Sequence, residues 1–140
     1  MRKPFLLFCC TMLFACSKQP ATELERLERD AGQGNAAAQS RLGFMYAYGQ
    51  DVPKDEAKAF EWYQKAADQG YASAQSALGM IYYYGEDVPG NGVAKDYNKA
   101  LKWNRKAADQ GDATGQCLLG DAFENGHGVR QDFADRKSVV

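Results

Sequence analysis

One sixteen-residue pattern occurs three times in this chain, and no other feature restricts the fold as strongly. The stretch from Gly34 to Gly49, GNAAAQSRLGFMYAYG, returns 36 residues later as GYASAQSALGMIYYYG from Gly70 to Gly85. After a further 41 residues it returns as GDATGQCLLGDAFENG from Gly111 to Gly126. The segments between the copies also match: AKAFEWYQKAADQG from Ala57 to Gly70 pairs with NKALKWNRKAADQG from Asn98 to Gly111, the extra five residues lying at Gly90 to Ala94. A unit of this size cannot bury its own apolar face. It must stack on its neighbours, so the repeat predicts an array rather than a closed core.

Each unit reads as two helices. Leu42 and Tyr46, and again Leu78 and Tyr82, are four apart and share one helical face. Ala59, Phe60, Tyr63, Ala66 and Ala67 give the second helix the same periodicity, and Gly70 supplies a left-handed stop. Between the two, Gly49 and Asp51-Val52-Pro53 break the chain, because proline neither continues a helix nor tolerates one just before it. Asp55 and Asp96 stand where N-caps are wanted. Gly43, Gly79 and Gly120 recur inside the first helix, where glycine costs about 1 kcal/mol against alanine; the expected compensation is close approach of the second helix. Gln39, Gln75 and Gln116 are expected to bond between neighbouring helices. Leu24, Leu27 and Ala31 fall 36 residues before Phe60, Tyr63 and Ala67, so Glu23 to Gln33 reads as a lone second helix capping the stack.

These residues resemble the Sel1-like repeat, a relative of the tetratricopeptide repeat, with its Ala-x-x-x-Leu-Gly-x-x-Tyr-x-x-Gly, Val-Pro-x-Asp and Ala-x-x-Trp-Tyr-x-x-Ala-Ala-x-x-Gly elements. The resemblance spans residues 34–134. It implies an all-α, right-handed solenoid of antiparallel helix pairs, divided into a capping helix at 23–33, repeats at 34–69 and 70–110, and an incomplete third repeat at 111–140. It also implies a concave wall of first helices that holds a partner peptide. The variable wall positions are Phe44, Ala47 and Tyr48 in the first unit, Met80, Tyr83 and Tyr84 in the second, and Asp121, Glu124 and Asn125 in the third. Aromatics are enriched in binding hot spots, yet tyrosine serves cores equally. Packing of Tyr48, Tyr83 and Tyr84 between repeats stays open.

The N-terminus has a leader layout: the positive head Met1-Arg2-Lys3-Pro4, then an uncharged run from Phe5 to Ala15. That run is too short to span a bilayer. It ends in Leu13-Phe14-Ala15-Cys16, which resembles the bacterial lipobox. The resemblance implies a signal peptide at 1–15, diacylglycerol on the Cys16 sulfur, palmitate-type acylation of the new terminus and a linker at 16–22. Several acyl chains anchor stably where one does not. Ser17, in place of the aspartate that retains enteric lipoproteins at the inner membrane, favours the outer membrane. A plain secretory leader with an incidental cysteine is the alternative. With Cys9, Cys10 and Cys16 accounted for, only Cys117 remains, so the monomer has no intrachain disulfide.

The charges, 17 Lys and Arg against 18 Asp and Glu, lack the basic excess of a nucleic-acid binder. No P-loop, H-E-x-x-H or G-x-S-x-G occurs, and serines 40, 73 and 76 lack a lysine three residues on. His127 stands without ligand neighbours and reads as a solvated turn residue; Cys117 reads as a small buried packing residue. No cofactor or metal is expected. At the far end Asp132 and Ala134 keep the register, but Arg136 and Lys137 fall where Ala59 and Phe60 belong. The third repeat is therefore expected to be interrupted, leaving Leu118, Leu119 and Phe123 open to self-association. The function expected is a non-enzymatic, lipid-anchored envelope scaffold for a protein or peptide. The alternatives are a β-lactamase or penicillin-binding hydrolase, as some secreted relatives are described, and a degenerate copy.

Overall fold

The computed structural model describes residues 22–85 and 92–128, which form six helices. These are α1 (Glu23–Gly32), α2 (Ala36–Tyr48), α3 (Glu56–Asp68), α4 (Ala72–Tyr84), α5 (Tyr97–Asp109) and α6 (Ala113–Asn125). The leader, Cys16 and the tail beyond Gly128 lie outside the described residues. No strand occurs among the described residues. No helix among them is long and apolar enough to cross a membrane.

Local chemistry sets the helix boundaries. The Asp55 and Asp96 carboxylates accept from the Lys58 and Lys99 N–H groups at 3.0 Å each, satisfying donors that a helix start leaves orphaned. Each capped turn is also fastened to the preceding helix: the Asp55 N–H donates to the Tyr46 carbonyl and the Asp96 N–H to the Tyr82 carbonyl, both at 2.9 Å. At the start of α1, Thr22 and Glu25 form a reciprocal capping box. Gly70 and its copy Gly111 have φ of 88° and 85°, a conformation that a Cβ would strain, and there the chain reverses between second and first helices.

Every helix packs on the next, and α4 also touches α6, giving one layer of first helices (α2, α4, α6) and one of second helices (α1, α3, α5). Leu42 and Leu78 are fully buried at the same register of successive repeats. Each contributes roughly 1.5 to 3 kcal/mol. Around them lie Ala31, Ala38 and Met45 in one cluster and Ala59, Tyr63, Ala66, Ala67 and Ala74 in the next. Alanine recurs because the helices approach closely. A Cβ on Gly43 would stand 2.8 Å from the Tyr63 ring, and one on Gly79 would overlap the Asn104 carboxamide. Gly120 has nothing within 4 Å among the described residues.

Glutamines stitch the layers together. The Gln39 amide donates to the Ala31 carbonyl at 3.0 Å and accepts from Gln69 at 2.7 Å. One repeat later Gln75 donates to the Ala67 carbonyl at 3.3 Å and accepts from Gln110 at 2.8 Å. Each relay therefore joins the ends of three helices. Gln69 and Gln110 carry no sequence signal of this role beyond their place in the repeated Asp-Gln-Gly. Gln116 departs from the expectation: it is exposed and makes no side-chain hydrogen bond among the described residues, because no described helix follows α6. Cys117 is corrected for the same reason. It is exposed, whereas Ser40 and Ser76 at its register are buried under the following helix.

Candidate interaction groove

The turn between α2 and α3 and the offset of α4 leave a groove along the first-helix layer. Its floor is made of residues that cannot leave it: Tyr63 and Ala59 are buried beneath, and Ala47 and Ile81 line its sides. Its lips carry large apolar side chains that remain in water: Phe44 is 44%, Tyr48 64%, Met80 37% and Tyr84 43% exposed. Phe44 and Tyr48 face each other with ring centroids 4.5 Å apart. Isolated exposed apolar residues are ordinary, but four around one depression form a contiguous patch.

The groove has two connected compartments of about 250 and 300 Å3 that share Ala47, Tyr48, Met80 and Ile81. The first ends against Lys54 and Glu56, whose side chains pair at 2.7 Å, and the Glu56 carboxylate is largely covered, its Oε2 having no hydrogen-bond partner among the described residues. The second runs past Ser40, Ser73 and Ser76 to Thr114. Burial, with a smaller contribution from the neighbouring Tyr48, holds the Tyr63 phenol well above the ordinary tyrosine range. The floor is accordingly neutral and apolar. A further recess of about 220 Å3 lies between α1 and α2 beneath the Arg41–Glu23 ion pair.

The structure thus brings together Phe44, Tyr48, Met80 and Tyr84 around the groove, which Tyr83 does not line although its ring meets that of Tyr84 edge-on at 5.1 Å. Tyr83 points to the neighbouring inter-repeat junction, where its hydroxyl lies 2.7 Å from His127 Nδ1 and its ring meets Tyr97 edge-on. His127 is corrected in turn. It is half-buried and stacked on Tyr97, with centroids 4.3 Å apart and planes within 11°, so it packs rather than floats. Sequence reasoning missed this because Tyr97 stands where the first repeat has Glu56, and Tyr83 where it has Ala47. Those two exchanges fill the second junction with rings and leave the first open. Asp121 and Glu124 are exposed on α6. Among the described residues no group of three or more His, Cys, Asp or Glu is placed to hold a metal.

Comparison with known proteins agrees with this architecture. A crystal structure of a Sel1 repeat protein from Oxalobacter formigenes is 38% identical and superposes with a TM-score of 0.64 over 74% of this chain and 39% of that one. The secretory immunoglobulin A-binding protein EsiB of Escherichia coli is 38% identical over 66 residues, 45% of this chain and 14% of that protein. The chain therefore spans well under half the length of either relative. The Sel1 repeat family model matches residues 36–71, 72–112 and 113–136, so the paired helices, their glycine contacts and their glutamine relays are those of a chain that belongs to the Sel1 repeat family.

Proposed function

We propose that this chain is a non-enzymatic interaction module that holds a peptide or protein in the groove between α2 and α4, tethered to the bacterial envelope through Cys16. The observation that carries the reading is the set of four exposed large apolar side chains around one continuous groove. A soluble surface keeps such residues in water at a cost unless something covers them, and buried aromatic anchors supply most of the energy of protein interfaces. The E. coli relative is by its name an immunoglobulin A-binding protein, which supports a protein partner. The leader layout ending in Cys16 supports placement at the envelope, with the outer membrane preferred.

Capture from envelope extract tests the groove. Met80→Asp and the pair Tyr48→Ala and Tyr84→Ala should each lose a partner retained by the parent protein, while far-UV circular dichroism stays unchanged. Equal capture by all three proteins would refute the groove. Labelling cells with an alkyne fatty acid tests the anchor separately: the parent protein should incorporate label and Cys16→Ala should not. An unlabelled parent protein would leave a secreted module in place of an anchored one.

A further inference from the structure

The outward face of the second-helix layer changes sign along the stack, and it does so at fixed register positions. Where α1 carries Glu25 and Glu28, α3 carries Glu61 and Gln64, and α5 carries Lys102 and Arg105. Lys102 and Arg105 are exposed, and neither pairs with a carboxylate among the described residues. The neighbouring Lys99 and Lys106 lie over the rings of Tyr82 and Trp103, as Lys58 and Lys65 lie over Tyr46 and Trp62, so those cations belong to the packing of the repeat. The exchange at 102 and 105 serves no such contact. It leaves α5 with four cations against the single carboxylate of Asp109, in a chain whose net charge is -1. Residues 86–91 and 129–140 together hold four acidic side chains and three basic ones, an excess too small to cancel α5.

We propose that the outward face of α5 docks on an anionic phospholipid bilayer, with the second-helix layer toward the lipid and the groove turned away from it. The chemistry of the face favours a bilayer over an acidic protein. None of the three recesses described above reaches α5, so the face offers charge without a socket for partner side chains. Trp103 stands among the cations, half-buried, with the Lys106 ammonium 4.5 Å from its ring centroid. An indole flanked by long cationic side chains suits the headgroup level, where the ring meets the apolar boundary and the ammonium reaches phosphate. Each Lys or Arg near an anionic surface strengthens binding by roughly five-fold. The same surface repels Glu25 and Glu28, so the charge gradient tilts the solenoid with α5 down and α1 raised. The groove lies on the opposite layer and stays open, and the docking needs neither its occupant nor a lipid on Cys16.

Co-sedimentation of the full-length Cys16→Ala protein with vesicles tests this, the substitution keeping acyl chains out of the comparison. Binding to vesicles of phosphatidylglycerol and phosphatidylcholine in equal parts should exceed binding to phosphatidylcholine alone. At low salt the double variant Lys102→Gln, Arg105→Gln should bind the anionic vesicles roughly 10- to 30-fold more weakly, and the difference should shrink at high salt. The matched loss of two cations from α1, in Arg26→Gln, Arg29→Gln, should cost no more than about two-fold, because distant exposed charges are screened. All four positions are exposed, so the fold is not at risk. No preference for the anionic vesicles, or equal losses from the two double variants, would overturn the proposal. So would capture of soluble polyglutamate without vesicle binding, which would make the face a site for an acidic protein. None of these outcomes bears on capture in the groove or on acylation of Cys16.

Discussion

Asn104 gives the sharpest test of how the stack is held together. It stands where the first repeat has Tyr63, is fully buried between α4 and α5, and neither carboxamide atom has a hydrogen-bond partner among the described residues. A buried amide left unpaired costs about 1 to 3 kcal/mol. Leucine keeps the branched shape of asparagine, placing methyl groups where Oδ1 and Nδ2 lie. It removes that cost and adds apolar burial, worth about 0.8 kcal/mol per carbon. Crowding against Gly79, where the carboxamide already fills the space a Cβ would need, returns part of the gain. Asn104→Leu should therefore stabilise the fold by about 2 kcal/mol, a rise of about 10 °C in Tm for roughly a hundred ordered residues. Thermal and urea melts followed by far-UV circular dichroism measure it, and Asn104→Ala, which leaves a hole instead, should melt below the parent protein. If Asn104→Leu melts at or below the parent protein with an unchanged urea slope, the amide is satisfied in solution and the reasoning is wrong.

Other substitutions probe the remaining contacts. Gly43→Ala, whose methyl meets the Tyr63 ring at 2.8 Å, should destabilise by about 2 kcal/mol, while Gly120→Ala, with nothing within 4 Å among the described residues, should stabilise by about 1 kcal/mol; equal shifts in urea midpoint would contradict the packing argument. Gln75→Leu severs a relay, but the Ala67 carbonyl keeps the Gly70 N–H and the exposed Gln110 amide keeps the Lys106 carbonyl, so a loss of about 0.5 to 1.5 kcal/mol is expected, concentrated in hydrogen exchange at the junction of α3, α4 and α5. Tyr63 predicts alkaline behaviour. Its folded pKa lies above the unfolded one, so its contribution is intact below about pH 10 and is lost as pH rises past it, by about 1.4 kcal/mol per unit. Tyr63→Phe should flatten that part of the pH profile, and an unchanged profile would show that Tyr63 is not the group responsible.

The sequence by itself determined the elements and much of their pairing. Leu42, Leu78 and the alanines around Tyr63 mark faces by their spacing, Asp55 and Asp96 mark starts, and Gly43 and Gly79 mark places where a second helix must come close. Such signals are local, or they recur with the repeat, so they are legible in one dimension. The tertiary structure decided which outward faces stay outward. Tyr83 and Tyr84 are neighbours in sequence, yet Tyr84 lines the groove while Tyr83 packs against Tyr97 and His127, which arrive from α5 and from the turn after α6. Cys117 and Gln116 are exposed, although their counterparts in the earlier repeats are buried, since cover is supplied by a neighbouring helix rather than by the residue itself. Asn104, at the register place of the buried Tyr63, is fully enclosed although it is polar. Periodicity tells a helix which way to turn each side chain. Whether another element meets that side chain depends on contacts many residues away, and for the groove at Phe44, Tyr48, Met80 and Tyr84 it was the smaller Ala47 and the charged Glu56, in place of two rings, that kept the space open.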